Sequence, residues 1–315
     1  MSILRRLMKN VYVRKNKKTS YNLIRWMQNE KLLKRKLKCK RCNKRMRMVH
    51  SHCADNFIWE CRRRHCGRLK RSVRAESLFS GSHSDLFTWM KYIHRFSQGL
   101  QMRQVDMIQD GITKSTRTLS MMSNKLKQMC VKSLRKFRKK KGQKVGGADI
   151  IVQIDESKFC HKRKYGKGRY GNTWRRKRTW VFGMLEIRPH LKRPILRLVK
   201  KRDKNTLIPI IRKHVKPTTL VVSDDWRAYS SLKEEGYRHV RVNHSQNYID
   251  PISGLHTQNI ERAWQTYKKE VWHMRANRSE KSLRKHLCFI EWTYWLGRMH
   301  KYGVLGRLFK DIRCA

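Results

Sequence analysis

The run Ile150-Ile151-Val152-Gln153-Ile154-Asp155-Glu156-Ser157 constrains this chain more than any other stretch. A short segment so rich in Ile and Val reads as a buried strand, and it delivers Asp155 to the end or edge of a sheet. Thr219-Leu220-Val221-Val222-Ser223 has the same character and delivers Asp224, while Glu261 lies in a helical pattern that begins near Thr257. Two strands and a helix thus each offer a carboxylate, in a chain with only 22 Asp plus Glu against 78 Lys plus Arg. Like charges brought together repel unless a cation neutralises them, and an all-oxygen donor set suits Mg²⁺ or Mn²⁺. Two such ions on a phosphate supply the chemistry for cutting and joining a nucleic-acid backbone.

A formal charge of +56 over 315 residues points to the same substrate. Self-repulsion on that scale disfavours a compact state unless an anion shares the load, and nucleic acid is the expected partner. An anionic membrane is disfavoured, because the sequence has neither a signal peptide nor an apolar run long enough to insert. Charge alone fits ribosomal and packaging proteins equally well. With 39% hydrophobic and 10% aromatic residues, most of the chain is expected to fold.

Four of the nine cysteines form the pattern Cys39-x2-Cys42 and Cys61-x4-Cys66. With no secretory signal, a reducing compartment and metal ligation are expected in preference to disulfides. The spacing predicts a zinc ribbon over residues 39–75, with Phe57, Ile58 and Trp59 as the strand that returns the second pair to the first. His50, His52, Cys53 and His65 are further ligand types, and four free thiols are the competing reading.

The remaining chain divides by composition. Residues 1–38 form a basic region in which Tyr21 to Leu33 is helical and the rest orders only on DNA; Lys34-Arg35-Lys36 reads as an import signal or as solvated surface. Residues 83–145 are helical, with Leu86, Trp89, Met90, Ile93 and Phe96 at helical spacing. A helix over 102–109, a turn at Gly111 and a helix over 114–130 that places Arg117 at its start suggest either a helix-turn-helix on DNA or a plain helical linker. A basic connector over 132–144 then leads to a catalytic domain over 148–300. Its insertion, 157–178, carries ten Lys or Arg and no acid, interleaved with Tyr165, Tyr170 and Trp174. Lys158, Lys162, Arg163, Lys164, Arg169, Arg175 and Arg176 can hold phosphates there while rings pack on sugars or bases. Further strands are expected over 179–187, 195–199 and 237–242, and helices over 206–215, with Pro209 tolerable near its first turn, and 226–235. Residues 281–296 are helical, and 301–315 form a basic tail.

The chain resembles the ISXO2-like DDE transposases of the IS1595 group and the eukaryotic Merlin elements. The resemblance rests on Ile154-Asp155-Glu156-Ser157-Lys158-Phe159, Arg163-Lys164-Tyr165, Trp180-Val181-Phe182-Gly183 and Ser223-Asp224-Asp225-Trp226-Arg227-Ala228-Tyr229. It continues through Val242-Asn243-His244-Ser245, Asp250-Pro251, Gly254 to Glu261, Trp264 and Lys268. This likeness implies an α/β ribonuclease H-like core behind a zinc ribbon and a terminal-repeat-binding region. It also implies cut-and-paste or replicative movement of DNA. Asp155 and Asp224 carry over as catalytic acids. The third position varies in the family among acid, Asn and His, and His256, Asn259 and Glu261 are all at hand.

Glu261 is the favoured third acid, because it shares a helix face with Gln265 and Lys268, apart from the apolar stripe of Ile260, Trp264, Tyr267 and Val271. Lys268 would then grip phosphate two turns on. Strand alternation turns Glu156 away from Asp155, and Asp225 is expected to cap the helix beginning at Trp226. His244 either touches substrate or orders its loop. The expected cofactors are two Mg²⁺ (or Mn²⁺) and one structural Zn²⁺. The partners are double-stranded DNA, as terminal repeats and target, and a second copy of the chain. The nucleus is the expected location in a eukaryote, the cytoplasm or nucleoid in a bacterium. A domesticated DNA-binding protein without transposition activity is the alternative.

Overall fold

The computed structural model describes residues 2–100, 104–159, 180–243, 254–274 and 279–313. The chain forms two compact units, Met1–Cys130 with Met299–Ala315, and Val131–Arg298.

In the first unit, α1 (Ile3–Val11) starts on the Ser2 side chain and α2 (Lys17–Asn29) on a reciprocal capping box between Asn16 and Thr19. Their apolar stripes, Ile3, Leu7 and Val11 on one and Leu23, Ile24 and Met27 on the other, are buried. Residues 1–38 were expected to order only in part without DNA, and 301–315 to trail as a basic tail, but helices form over Ile3–Val11, Lys17–Asn29 and Gly303–Arg313. The last helix, Gly303–Arg313, buries Leu305, Leu308, Phe309 and Ile312 at helical spacing. Glu30, the one acid among the first 38 residues, pairs with cations from two of these segments. It is buried and pairs with Arg6 at 2.8 Å and Arg313 at 2.7 Å, so a single carboxylate offsets two cations that would otherwise repel.

The antiparallel strands β1 (Arg47–His50), β2 (Phe57–Glu60) and β3 (Lys70–Ser72) form a small sheet in that order. A buried ion pair fixes its surroundings. Arg74 donates through Nε to the Asp55 carboxylate and through Nη1 to the carbonyls of Ser82 and Ser84, both at 2.6 Å. Asp55 also accepts the Leu86 N–H at 2.9 Å, which ties the sheet to the start of α3 (Leu86–Ser97). A short helix, α4 (Gln104–Gln109), precedes α5 (Thr116–Lys141). The expected connector over 132–144 is therefore largely helix. Leu134 is buried, and Phe137 packs its ring 5.9 Å from Trp295, so an apolar stripe carries the helix onward through the basic run.

The second unit is a mixed α/β domain. Its strands are β4 (Ile151–Lys158), β5 (Trp180–Arg188), β6 (Leu191–Val199), β7 (Leu220–Asp224) and β8 (Arg238–Val242). Among the described residues they form one sheet, ordered β6-β5-β4-β7-β8. The β4–β5 and β5–β6 pairs are antiparallel, while β4–β7 and β7–β8 are parallel. Pro194, which cannot donate to a ladder, lies in the edge strand β6. Helix α6 (Lys204–His214) joins β6 to β7. It starts on an Asp203 cap, earlier than the pattern suggested, which leaves Pro209 inside the helix and removes the N–H that would meet the Asn205 carbonyl. The helix expected over 226–235 is instead a 3₁₀ run, Arg227–Leu232.

Helices α7 (Gln258–His273) and α8 (Glu280–Trp292) cover one face of the sheet. Ile260, Trp264, Tyr267 and Val271 of α7 and Leu283, Leu287 and Ile290 of α8 share a core with Phe159, Val181, Leu185 and Leu196. Residues 281–296 therefore close the core, as far as α8 and the π turn at Thr293–Gly297 carry them. No helix among the described residues is long and apolar enough to cross a membrane.

Removing one partner of a buried ion pair leaves the other charge uncompensated. Asp55→Ala should lower the stability of the first unit by about 3 kcal/mol, read as a lower urea midpoint in the full chain. Asp55→Asn, which keeps an acceptor for the Leu86 N–H, should lose less.

Candidate active site

Parallel pairing sets the first two acids side by side. Ile151 is level with Leu220 and Gln153 with Val222, so Asp155 and Asp224 each stand two residues further along adjacent strands. The Asp155 carboxylate accepts the Glu156 N–H at 2.7 Å and the Trp264 indole N–H at 2.8 Å. Burial pushes its pKa up to about 6, against those two hydrogen bonds, and the negative charges of Asp224 and Glu261 push it further in the same direction. Asp155 thus senses both other acids across the site.

Helix α7 is brought to β4 by two side chains of that strand, both on its α7 face. Gln153 is buried, and its amide donates to the His256 carbonyl at 2.5 Å while its oxygen accepts the Ile260 N–H at 2.9 Å. That clamps the first turn of α7 to the middle of β4. One helical turn on, Trp264 reaches Asp155, and the space for its ring is made by Gly183, which pairs with Asp155 across β4–β5. A Cβ at Gly183 would meet the indole at 2.5 Å. Sequence reasoning assigned no role to Gln153 or Gly183, and to Trp264 only a place in the apolar stripe. An amide inside a run of Ile and Val was the available signal, since a buried amide has to find partners.

Glu261 is exposed on the first turn of α7, where its carboxylate accepts from Thr257 Oγ1 at 2.9 Å. Asn259 is engaged by Lys192 at 2.7 Å, toward the edge strand β6. His256 lends its carbonyl to Gln153, and its buried Nδ1 has no hydrogen-bond partner among the described residues. Lys268 lies with its ammonium 5.9 Å from the centre of the Phe159 ring, and Lys158 is exposed at the end of β4, 4.4 Å from the centre of Trp180. Arg117 is exposed in the first turn of α5 in the other unit. Lys162, Arg163, Lys164, Arg169, Arg175, Arg176 and His244 lie outside the described residues.

Glu156 faces away from Asp155 and accepts the Tyr229 hydroxyl, with Arg202 3.9 Å away. Burial, joined by the charges of Asp155 and Asp224, pushes its pKa up to about 7 even against the Tyr229 bond. Asp225 does not cap the segment after it. The Trp226 N–H goes to Asp224 at 3.3 Å, and Asp225 instead pairs with Arg241 at 3.1 Å. A 3₁₀ run offers no helical first turn to receive that cap.

In the first unit, Cys39, Cys42, Cys61 and Cys66 present sulfurs that all lie within 4.8 Å of one another. Among the described residues this is the one group of three or more Cys, His, Asp or Glu gathered so tightly, and it can coordinate a metal ion. The backbone N–H groups of Cys42 and Arg41 lower the Cys39 thiol to about 6, while burial and the neighbouring thiols push Cys66 up to about 12. Four thiols this close do not all ionise without a cation. The acids Asp155, Asp224 and Glu261 are a looser set, yet their mutual opposition is of the kind a divalent oxygen-seeking cation relieves.

Residues 145–292 match the ISXO2-like transposase domain family, and a domain of that family is present over this part of the chain. A stretch of 56 residues is 42% identical to an uncharacterized transposase-like protein of Haemophilus influenzae, covering 16% of this chain and 46% of that protein. The chain thus spans less than half the length of that relative.

Because the Asp155 pKa is raised from 3.8 to about 6, the folded protein holds a proton that the unfolded chain releases, and stability falls as pH rises through that interval. An amide can accept only one of the two N–H groups, so Asp155→Asn should carry a pH-independent loss, but its melting temperature relative to wild type in metal-free buffer should rise by about 6 °C between pH 4 and pH 7. Added Mn²⁺ should stabilise the wild type and leave the variant unmoved.

Proposed function

We propose that this protein is a DNA transposase that hydrolyses and transfers DNA strands at terminal inverted repeats, with Asp155, Asp224 and Glu261 as its acids. The observation that carries this reading is the level placement of Asp155 and Asp224 on adjacent parallel strands, with Glu261 acting on the same carboxyl group. The sheet order β6-β5-β4-β7-β8, antiparallel on one side of β4 and parallel on the other, supports a ribonuclease H-like core. Glu261 is preferred as third acid over Asn259, which Lys192 holds, and over His256, whose carbonyl is part of the Gln153 clamp.

When bound, two Mg²⁺ or Mn²⁺ ions would activate water and offset charge on the departing 3′ oxygen, first in strand cleavage and then in joining. The chain's own residues prepare this chemistry. Trp264 holds one oxygen of Asp155 in place, and Gln153 fixes the helix that carries Glu261, so both acids are oriented before substrate arrives. Lys158 and Lys268 are disposed to grip phosphate beside them.

In the first unit, Cys39, Cys42, Cys61 and Cys66 would hold one structural Zn²⁺ in a zinc ribbon, for which the tight thiol set is the support. Helix α4, the turn at Gly111 and the start of α5 would act as a helix-turn-helix, with Arg117 meeting DNA. Two element ends handled together imply at least a dimer.

Purified full-length protein should cleave and join DNA bearing candidate terminal repeats in Mg²⁺ or Mn²⁺, and Asp224→Asn should lose at least a thousandfold in rate. Tight repeat-specific binding with no products would favour a DNA-binding protein without transposition activity. Elemental analysis should find one zinc per chain, lost in a Cys39→Ser and Cys61→Ser double variant together with end binding.

A further inference from the structure

At the strand ends that carry Asp155 and Asp224, a layered set of side chains lies together in the second unit. Trp180 begins β5 opposite Lys158, the last residue of β4. The Lys158 ammonium lies 4.4 Å from the centre of the Trp180 ring, and the Arg202 guanidinium 3.9 Å from it. Arg202 is also 4.8 Å from the centre of Trp226, whose indole N–H donates to the Arg202 carbonyl at 2.9 Å. Glu156, 3.9 Å from Arg202, supplies the counter-charge from below.

Trp226 is 41% exposed and stands two residues after Asp224. Much of the indole is therefore open to solvent. It is nonetheless held at its edge by a hydrogen bond and beside a cation, so its orientation is set in advance. Aromatic rings ordered in this way, with cations that attract a phosphate chain, are what an unpaired nucleobase stacks upon.

We propose that Trp226, braced by Arg202 and Trp180, is a stacking site for an unpaired nucleobase of DNA beside Asp224. The inference rests on the DNA-processing reading above and adds a contact to a base, where the acids would hold metal ions and the lysines phosphate. Stacking is tolerant of base identity, so the site would hold a strand end open without reading its sequence.

The test compares full-length protein on two single strands of equal length, oligothymidylate and an abasic tetrahydrofuran strand, at one salt concentration without divalent metal. Both strands carry the same phosphates, so electrostatic binding cancels in the ratio. Wild-type protein should bind oligothymidylate about tenfold more tightly. Trp226→Leu should bring the ratio to about one with abasic affinity unchanged, and Trp226→Phe should keep most of it. Photocrosslinking of 5-iodouracil strands should label Trp226. A ratio near one in the wild type, a ratio that survives Trp226→Leu, or a variant that weakens both strands alike would overturn the proposal. If Trp226→Leu did not fold, the crosslink on wild-type protein would decide, with labelling elsewhere counting against it. Metal-dependent cleavage in a protein whose ratio ignores Trp226 would leave the transposase reading standing without this site. Loss of the ratio in a protein that never cleaves would keep the site and sink that reading.

Discussion

Two hydrogen-bonding side chains on one face of β4 carry the rest of the site. Gln153 takes the first turn of α7 by a carbonyl and an N–H, and Asp155 takes the Trp264 indole one turn later. Together they set both the position of the helix along the strand and its rotation, which is what places Glu261 within electrostatic reach of Asp155. The arrangement works because Gly183, beside Asp155 in the sheet, leaves room for the indole. A buried amide left unpaired would cost as much as the clamp contributes, so the device is all or nothing.

The same carboxylates show what a basic protein has to do with its few acids. Glu30 joins the chain's two ends through Arg6 and Arg313. Glu291, buried in the second unit, accepts from Arg138, Arg197 and the Leu196 N–H. Asp55 fixes the small sheet to α3. Where a carboxylate has cations against it, it stabilises the fold; at Asp155 and Glu156, burial and neighbouring negative charge raise the pKa and stability is lost as pH rises. The first kind of acid is structural, and among the second Asp155 is the one that a cation-dependent reaction would use, while Glu156 turns to Tyr229 and Arg202.

Much of this was open to reading from the chain alone. Runs of β-branched residues ending in Asp155 and Asp224 read as strands, because they are too short for a core helix and rich in Ile and Val. The cysteine spacing defined its cluster, since four thiols in two tight pairs can converge on one point over a short chain. The ends of the chain were misread for a physical reason: high local charge suggested solvated tails, whereas an apolar stripe and one distant acid outweigh it. The helical reach of α5 through 132–141 was lost in the same way.

Composition and periodicity thus determined the strands, the acids they deliver, the thiol cluster and the expectation of an anionic partner, because each depends on neighbours close in sequence. Only the tertiary structure decided which groups hold those acids. Gln153 and His256 are 103 residues apart, Asp155 and Trp264 109, and such pairings follow from how strands and helices pack. It likewise gave Asp225 to Arg241 and Asn259 to Lys192, leaving Asp224 and Glu261 beside Asp155. A side chain's partner is chosen by the register of the sheet and the rotation of the helix, and neither is written in any one segment.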